Sequence, residues 1–211
     1  MNSFSIREAL RVGWQTFKVS WKLILGVLLL STAINLAPAL VGNSIGADNS
    51  GMQLIVSILS WVFGIIIGIG QLKIAIELVD KKSPPFSELF SHYRLFFHTL
   101  FTQIMVGIIV VIGLVLLIIP GIVFALRLQF AVYAVGDGGM GPLAAISASW
   151  TMTKGSTIKL LLYAIASFFV LFAGLLLLGV GLILAVPTTM LATAYIYRTL
   201  SSRVITAPQS V

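Results

Sequence analysis

The sequence predicts an all-α, polytopic membrane protein. Several apolar runs approach twenty residues. Of 211 residues, 59% are hydrophobic and 9% are charged, with a mean hydropathy of +1.10, a composition outside the soluble globular range. The Lys and Arg residues outside the runs gather in every other connection between them. A β-barrel is excluded, because its spans alternate polar and apolar residues, whereas Leu114 to Ile119 and Leu175 to Leu178 are apolar on every side. With no cysteine in the chain, disulfides, thiol catalysis and thiolate metal sites do not arise.

Ser3 to Trp21 place Ile6, Leu10, Trp14 and Phe17 on one helical face and Arg7, Arg11, Gln15 and Lys18 largely on another, the spacing of an interfacial amphipathic helix. Ser5 and Glu8 form a capping box at its start. Span 1 runs from about Trp21 to Val41. Ala37-Pro38-Ala39 resembles a signal-peptidase site, but the long amphipathic region before it makes a retained first span the expectation. Gly42 to Gly51 is a polar turn with one acid and no Lys or Arg, expected outside.

Span 2, about Met52 to Val79, carries Gly64 and Gly68 at the spacing of a packed glycine face. Asp80 to Pro85 ends it, since neither proline donates and each biases its predecessor away from helix. Phe86 to His98 reads as a second amphipathic helix at headgroup level, followed by span 3 at about Leu100 to Ile119. Pro120-Gly121 is expected to turn the chain. Span 4, Pro120 to Val135, rises only about 24 Å as a helix, against a hydrocarbon core of roughly 30 Å. Gly136-Asp137-Gly138-Gly139 is expected to break it. After Gly141-Pro142, a third amphipathic element covers Leu143 to Lys154, with Trp150 on it. Span 5 covers about Ile158 to Ala185, Pro187 lies near the outer turn, and span 6 returns to a basic tail with Arg198 and Arg203.

Eleven of the thirteen Lys and Arg residues then fall inside, and the other two, Lys73 and Arg127, lie within spans. The positive-inside rule gives six spans with both termini cytoplasmic. The chain is one integral domain of three units, residues 1–79, 80–135 and 136–211, each an amphipathic helix plus a hairpin. A shift of 136 residues sets Ala9, Trp14, Lys18, Ser20 and Leu25 on Ala145, Trp150, Lys154, Ser156 and Leu161, and a shift of 80 sets Glu8 and Phe17 on Glu88 and Phe97. These matches point to a parallel internal repeat.

Arg127 is a candidate site because a charge at membrane depth needs a partner or a purpose. It is either an anion or headgroup ligand or a member of a structural polar network. Glu77 is the expected partner and Asp137 the alternative, while Lys73 and Glu77, four apart on one helix, are placed to satisfy each other. The glycines Gly136, Gly138, Gly139 and Gly141 form a hinge, either a flexible connector or a phosphate cradle without Walker or dinucleotide spacing. His92 and His98, six apart, lack the spacing that stacks two metal ligands on one helix face. Ser147, Ser149, Thr151 and Thr153 lack a paired base. Trp14, Trp150 and Lys154 are interfacial positions. No catalytic constellation and no cofactor is expected.

At Pro120-Gly121, Arg127, Asp137, Ala144-Ala145, Ser149-Trp150 and Thr153-Lys154-Gly155 the sequence resembles the membrane-domain family fused to some bacterial glycerophosphodiester phosphodiesterases, and its free-standing relatives. The resemblance spans most of the chain, and its motifs lie at the centre. It implies an integral protein of the bacterial plasma (inner) membrane. This chain lacks the phosphodiesterase domain, so that activity does not transfer. The expectation is a non-enzymatic protein that binds anionic membrane lipids or a protein partner, another copy included, and no nucleic acid, in envelope organisation or stress tolerance. The alternative is a small carrier or channel for an anion or lipid headgroup that uses Arg127.

Overall fold

The computed structural model describes residues 4–45, 50–177 and 179–206. Residues 46–49 of the expected outer turn, Leu178 and residues 207–211 lie outside the described residues, as does the side chain of Arg203. Among the described residues the structure is all-helical: α1 Ile6–Ile45, α2 Ser50–Val79, α3 Glu88–Ser91, α4 Phe96–Leu116, α5 Ile118–Leu128, α6 Ala131–Gly138, α7 Pro142–Met152, α8 Thr157–Leu176 and α9 Leu182–Thr206. Five stretches are long and apolar enough to cross a membrane: 6–38, 50–79, 88–116, 118–138 and 157–176. Only 11% to 33% of their most apolar windows is buried inside the protein. Leu54, Ile55, Val115, Ile119, Phe168 and Phe169 are among the many large apolar side chains left exposed, far more than a water-facing monomer tolerates. The fold is that of a helical membrane protein.

The segment expected to be amphipathic and the first apolar stretch merge in α1, separated by a kink at Ser20 (φ −112°, ψ 23°). The apolar face of the segment is not free for lipid. Phe4, Ala9 and Phe17 are buried, and Gly13 sits against the Thr188 carbonyl and Ala192 of α9 so closely that a Cβ would overlap them. Trp14 stays partly exposed beside Gly174, Gly181 and Ala185. The second expected amphipathic helix is discontinuous. His92 leaves helical geometry (φ −101°, ψ 21°), and α3 gives way to a 3-10 turn at Tyr93–Leu95 before α4 begins. The segment expected as the third, Leu143 to Lys154, is helical and continuous only as α7, Pro142–Met152.

Two turns fall elsewhere than the prolines suggested. α4 and α5 are joined by Leu117 alone, in extended geometry (φ −162°, ψ 143°). Pro120 lies in the first turn of α5, where its missing N–H costs nothing, and Gly121 packs inside the hairpin against Leu114. α8 stops at Leu176 and α9 starts at Leu182, so Pro187 lies within α9. This hairpin also closes on a glycine pair, Gly174 against Gly181.

Each short segment docks on the second helix of a hairpin. Leu89 of α3 lies on Gly70 of α2, Ser149 of α7 on the Arg127 carbonyl of α5, and Gly13 of α1 under Thr188 of α9. Residues 6–15 and 142–151, related by the 136-residue shift, carry the same order of buried, half-buried and exposed positions. Ser20 and Ser156 also adopt nearly the same backbone geometry (φ −112° and −113°). α9 lies centrally, with Leu191, Ala192, Ala194, Ile196, Tyr197 and Leu200 buried. From Leu191 to Leu200 its side chains are buried or half-buried, which explains why it is less apolar than the five lipid-exposed stretches.

Gly64 and Gly68 do not form the expected packed face. A Cβ on either would meet nothing within 4 Å, and both line a cleft of about 460 Å³ between α1, α2 and α4.

Candidate functional site

Where α2, α6 and α9 meet, four charges and a phenol join. α2 brings Lys73, with Asp80 just beyond its end; α6 brings Asp137 to its last turn; α9 brings Tyr197 and Arg198. Arg198 donates from Nε to both Asp80 carboxylate oxygens at 3.0 Å, from Nη2 to Asp80 Oδ2 at 2.6 Å and from Nη1 to Asp137 Oδ2 at 2.6 Å. The Tyr197 hydroxyl donates to Asp137 Oδ2 at 3.2 Å, and Lys73 Nζ lies 3.5 Å from both Asp137 Oδ1 and its backbone carbonyl. An aspartate in the last turn of a helix opposes the helix dipole. Here Lys73 and Arg198 neutralise it. Two cations meet two anions, so the cluster is balanced and its strongest donors are committed to one another. It acts as a clamp on three helices. Phe130, Tyr133 and Tyr197 pack beside it with ring centroids 5.3–6.1 Å apart.

Arg127 belongs to a separate latch. The helix that should form span 4 breaks at Gln129–Phe130, between α5 and α6. Near that break, the Arg127 carbonyl accepts from Ser149 Oγ at 2.7 Å and from Thr153 Oγ1 at 3.3 Å, and Gln129 Nε2 donates to the Leu126 carbonyl at 2.8 Å. The guanidinium donates from Nη2 to the Trp150 carbonyl at 2.7 Å and lies 3.4 Å from the centre of the Trp150 ring. A cation near the C-terminal carbonyls of α7 is favoured by the helix dipole, and the stacked indole adds a cation–π term. Ser149, Trp150 and Thr153, at spacings of one and three, therefore grip both ends of one arginine. That is the physical content of the Ser-Trp-x-x-Thr pattern.

The expected pairing of Arg127 with Glu77 or Asp137 is thus replaced. Asp137 serves Lys73 and Arg198, while Glu77 is half-buried on α2 with no side-chain partner among the described residues. Lys73 turns to Asp137 rather than to Glu77. Nor do the glycines act as one hinge. Gly136 is inside α6 and packs against Leu72, Gly138 ends the helix, Gly139 caps it in the left-handed region (φ 63°), and Gly141 is the extended N-cap of α7. Only Gly139 requires glycine for its backbone. Trp14 and Trp150 are part-exposed and Lys154 is exposed. His92 lies 3.7 Å from Glu88, one turn earlier. No group of three or more His, Cys, Asp or Glu that could hold a metal ion forms among the described residues.

Asp80, Tyr197 and Arg198 escape a sequence reading because Arg198 counts as one more cytoplasmic cation and its partners lie 118 and 61 residues away. The one available signal is Tyr195-x-Tyr197-Arg198, two phenols and a cation within four residues of one helix. No family model, no curated protein and no solved structure matches the chain.

Proposed function

We propose that this is a non-enzymatic protein of the bacterial inner membrane, with six spans and cytoplasmic termini, that gathers anionic lipid headgroups on its cytoplasmic face and so organises the envelope. One observation carries the reading. Arg7, Arg11, Lys18 and Lys22 all lie exposed on α1, and two of them stand beside tryptophans, Lys18 by Trp14 and Lys22 by Trp21, each 5.7 Å from the ring centre. Cations interleaved with indoles suit the headgroup level of an anionic leaflet. The carrier reading finds less support, since the Arg127 guanidinium is held by Trp150 and Glu77 does not join it. Kinship with the phosphodiesterase-linked membrane domain is part of the proposal and rests on the motif that builds the Arg127 latch. A threefold parallel repeat is supported by the shared burial order of residues 6–15 and 142–151 and by the recurrent docking of a short segment on a hairpin.

In nanodiscs of equal parts phosphatidylcholine and phosphatidylglycerol, native mass spectrometry should find phosphatidylglycerol enriched on the ejected protein. Each cation near an anionic surface contributes about 1 kcal/mol. The combined variant Arg7→Gln, Arg11→Gln, Lys18→Gln, Lys22→Gln should therefore cut the enrichment more than tenfold, and unchanged enrichment would sink the reading. α9 is the proposed sixth span, its 25 residues rising about 37 Å. As the chain has no cysteine, a membrane-impermeant maleimide should label Ser50→Cys and Val180→Cys from outside, and Lys82→Cys and Ser202→Cys only after permeabilisation. Outside labelling of Ser202→Cys would rule out a sixth crossing.

A further inference from the structure

The cleft between α1, α2 and α4 contains no charged side chain among the residues that line it. Its polar groups are Asn35 of α1, Ser57, Ser60 and the Trp61 indole N–H of α2, and Thr99 and Gln103 of α4, set among Ile65, Ile69 and other apolar walls. We propose that it binds the head of an uncharged, hydroxyl-bearing lipid of the glyceride kind. The inference rests on the membrane setting proposed above but not on the cationic face.

Three observations carry it. First, Thr99 is 1% exposed and its hydroxyl has no hydrogen-bond partner among the described residues. Threonines elsewhere in these helices return the hydroxyl to the carbonyl four residues back, as Thr102 does to His98 at 2.7 Å and Thr193 to Thr189 at 2.8 Å. Thr99 does not, although a buried unpaired hydroxyl is costly. Turned about χ1 toward the cleft that Thr99 lines, this hydroxyl gains a ligand hydroxyl as its partner.

Second, Gly64 and Gly68 line the cleft without serving helix packing, because a Cβ on either meets nothing within 4 Å. What their missing side chains provide is room. The volume, about 460 Å³, lies within the ordinary range for small-ligand pockets.

Third, the chemistry of the lining is mixed and neutral. Asn35 already donates Nδ2 to the Ser31 carbonyl at 2.8 Å, which leaves its amide oxygen to accept, while hydroxyls and the Gln103 amide both donate and accept. An anionic head would find no cation there and a quaternary amine no acid. Hydroxyls match both functions at once, and the surrounding apolar surface suits the acyl chains.

The test uses the full-length protein in phosphatidylcholine nanodiscs with a diazirine-tagged dioleoylglycerol as the probe. Photolabelling should map to residues 57–69 of α2 or 99–103 of α4 and be displaced by unlabelled dioleoylglycerol, but not by phosphatidylglycerol. Gly68→Leu fills the cleft without touching the protein core and should reduce labelling at least tenfold. Thr99→Val, which keeps the shape and removes the hydroxyl, should reduce it severalfold. The variant lacking the four α1 cations should label like the parent, which separates this site from the cationic face. Labelling that survives Gly68→Leu at full strength, or that phosphatidylglycerol displaces equally, overturns the proposal. Circular dichroism and thermal unfolding of Gly68→Leu establish that any loss is not unfolding; if that variant is misfolded, Thr99→Val decides, and unchanged labelling there overturns the proposal.

Discussion

Arg198→Gln should destabilise the protein by on the order of 3 kcal/mol, the lower end of the cost of breaking a buried ion pair. The side chains involved are 17% to 30% exposed, which discounts the full penalty. The substitution removes two anions' main partner at once. Asp80 is left with no strong donor in the cluster, and Asp137 keeps only the Tyr197 hydroxyl and Lys73 at 3.5 Å. Asp137→Asn should cost less, since Arg198 retains Asp80. In a double-mutant cycle followed by tryptophan fluorescence during thermal unfolding in detergent, the pair should cost clearly less than the sum of the two single changes, because both singles break the same bond. Additivity within about 0.5 kcal/mol would mean that Asp137 and Arg198 do not hold the helices together.

Three glycines of α2 should respond to alanine in opposite directions. At Gly70 a Cβ would collide with the backbone of Leu89, and backbone cannot step aside as a side chain can. Gly70→Ala should cost roughly 1–3 kcal/mol or more from overpacking and should detach α3. Gly64→Ala and Gly68→Ala meet open space and should stabilise the helix by up to about 1 kcal/mol each through propensity. The same unfolding assay ranks the three. An equal loss at all of them would mean that Gly64 and Gly68 pack against something after all.

The contrast shows what a sequence discloses about such a fold. Hydropathy alone locates the apolar stretches, because lipid exposure imposes it residue by residue, and the end of α2 at Val79 follows from the Asp80-to-Pro85 run. Ser20, flagged only by its match to Ser156, proves to be the kink between segment and span. Spacing cannot say whether Gly64-x-x-x-Gly68 faces a helix or a void, since both need the same small residues. The partners of Arg127 were equally hidden. A search for charge finds Glu77 and Asp137, whereas the structure answers with a backbone carbonyl and an indole face, neither of which carries formal charge. The clamp at Arg198 depends on separations above 60 residues, beyond any local pattern.

The docking of Gly13 beneath Thr188 joins the two ends of the chain, and this sets an order of assembly. Thr188 leaves the ribosome about 175 residues after Gly13, a delay on the order of 10–35 s at usual synthesis rates. Throughout that interval Phe4, Ala9 and Phe17 have no α9 to cover them. Until α9 arrives the first segment of α1 lacks the surface against which Gly13 packs, so docking of this segment is a late step of assembly. A protein cut before α9 should therefore keep its first segment exposed, which faster proteolysis at residues 6–20 in nanodiscs would report.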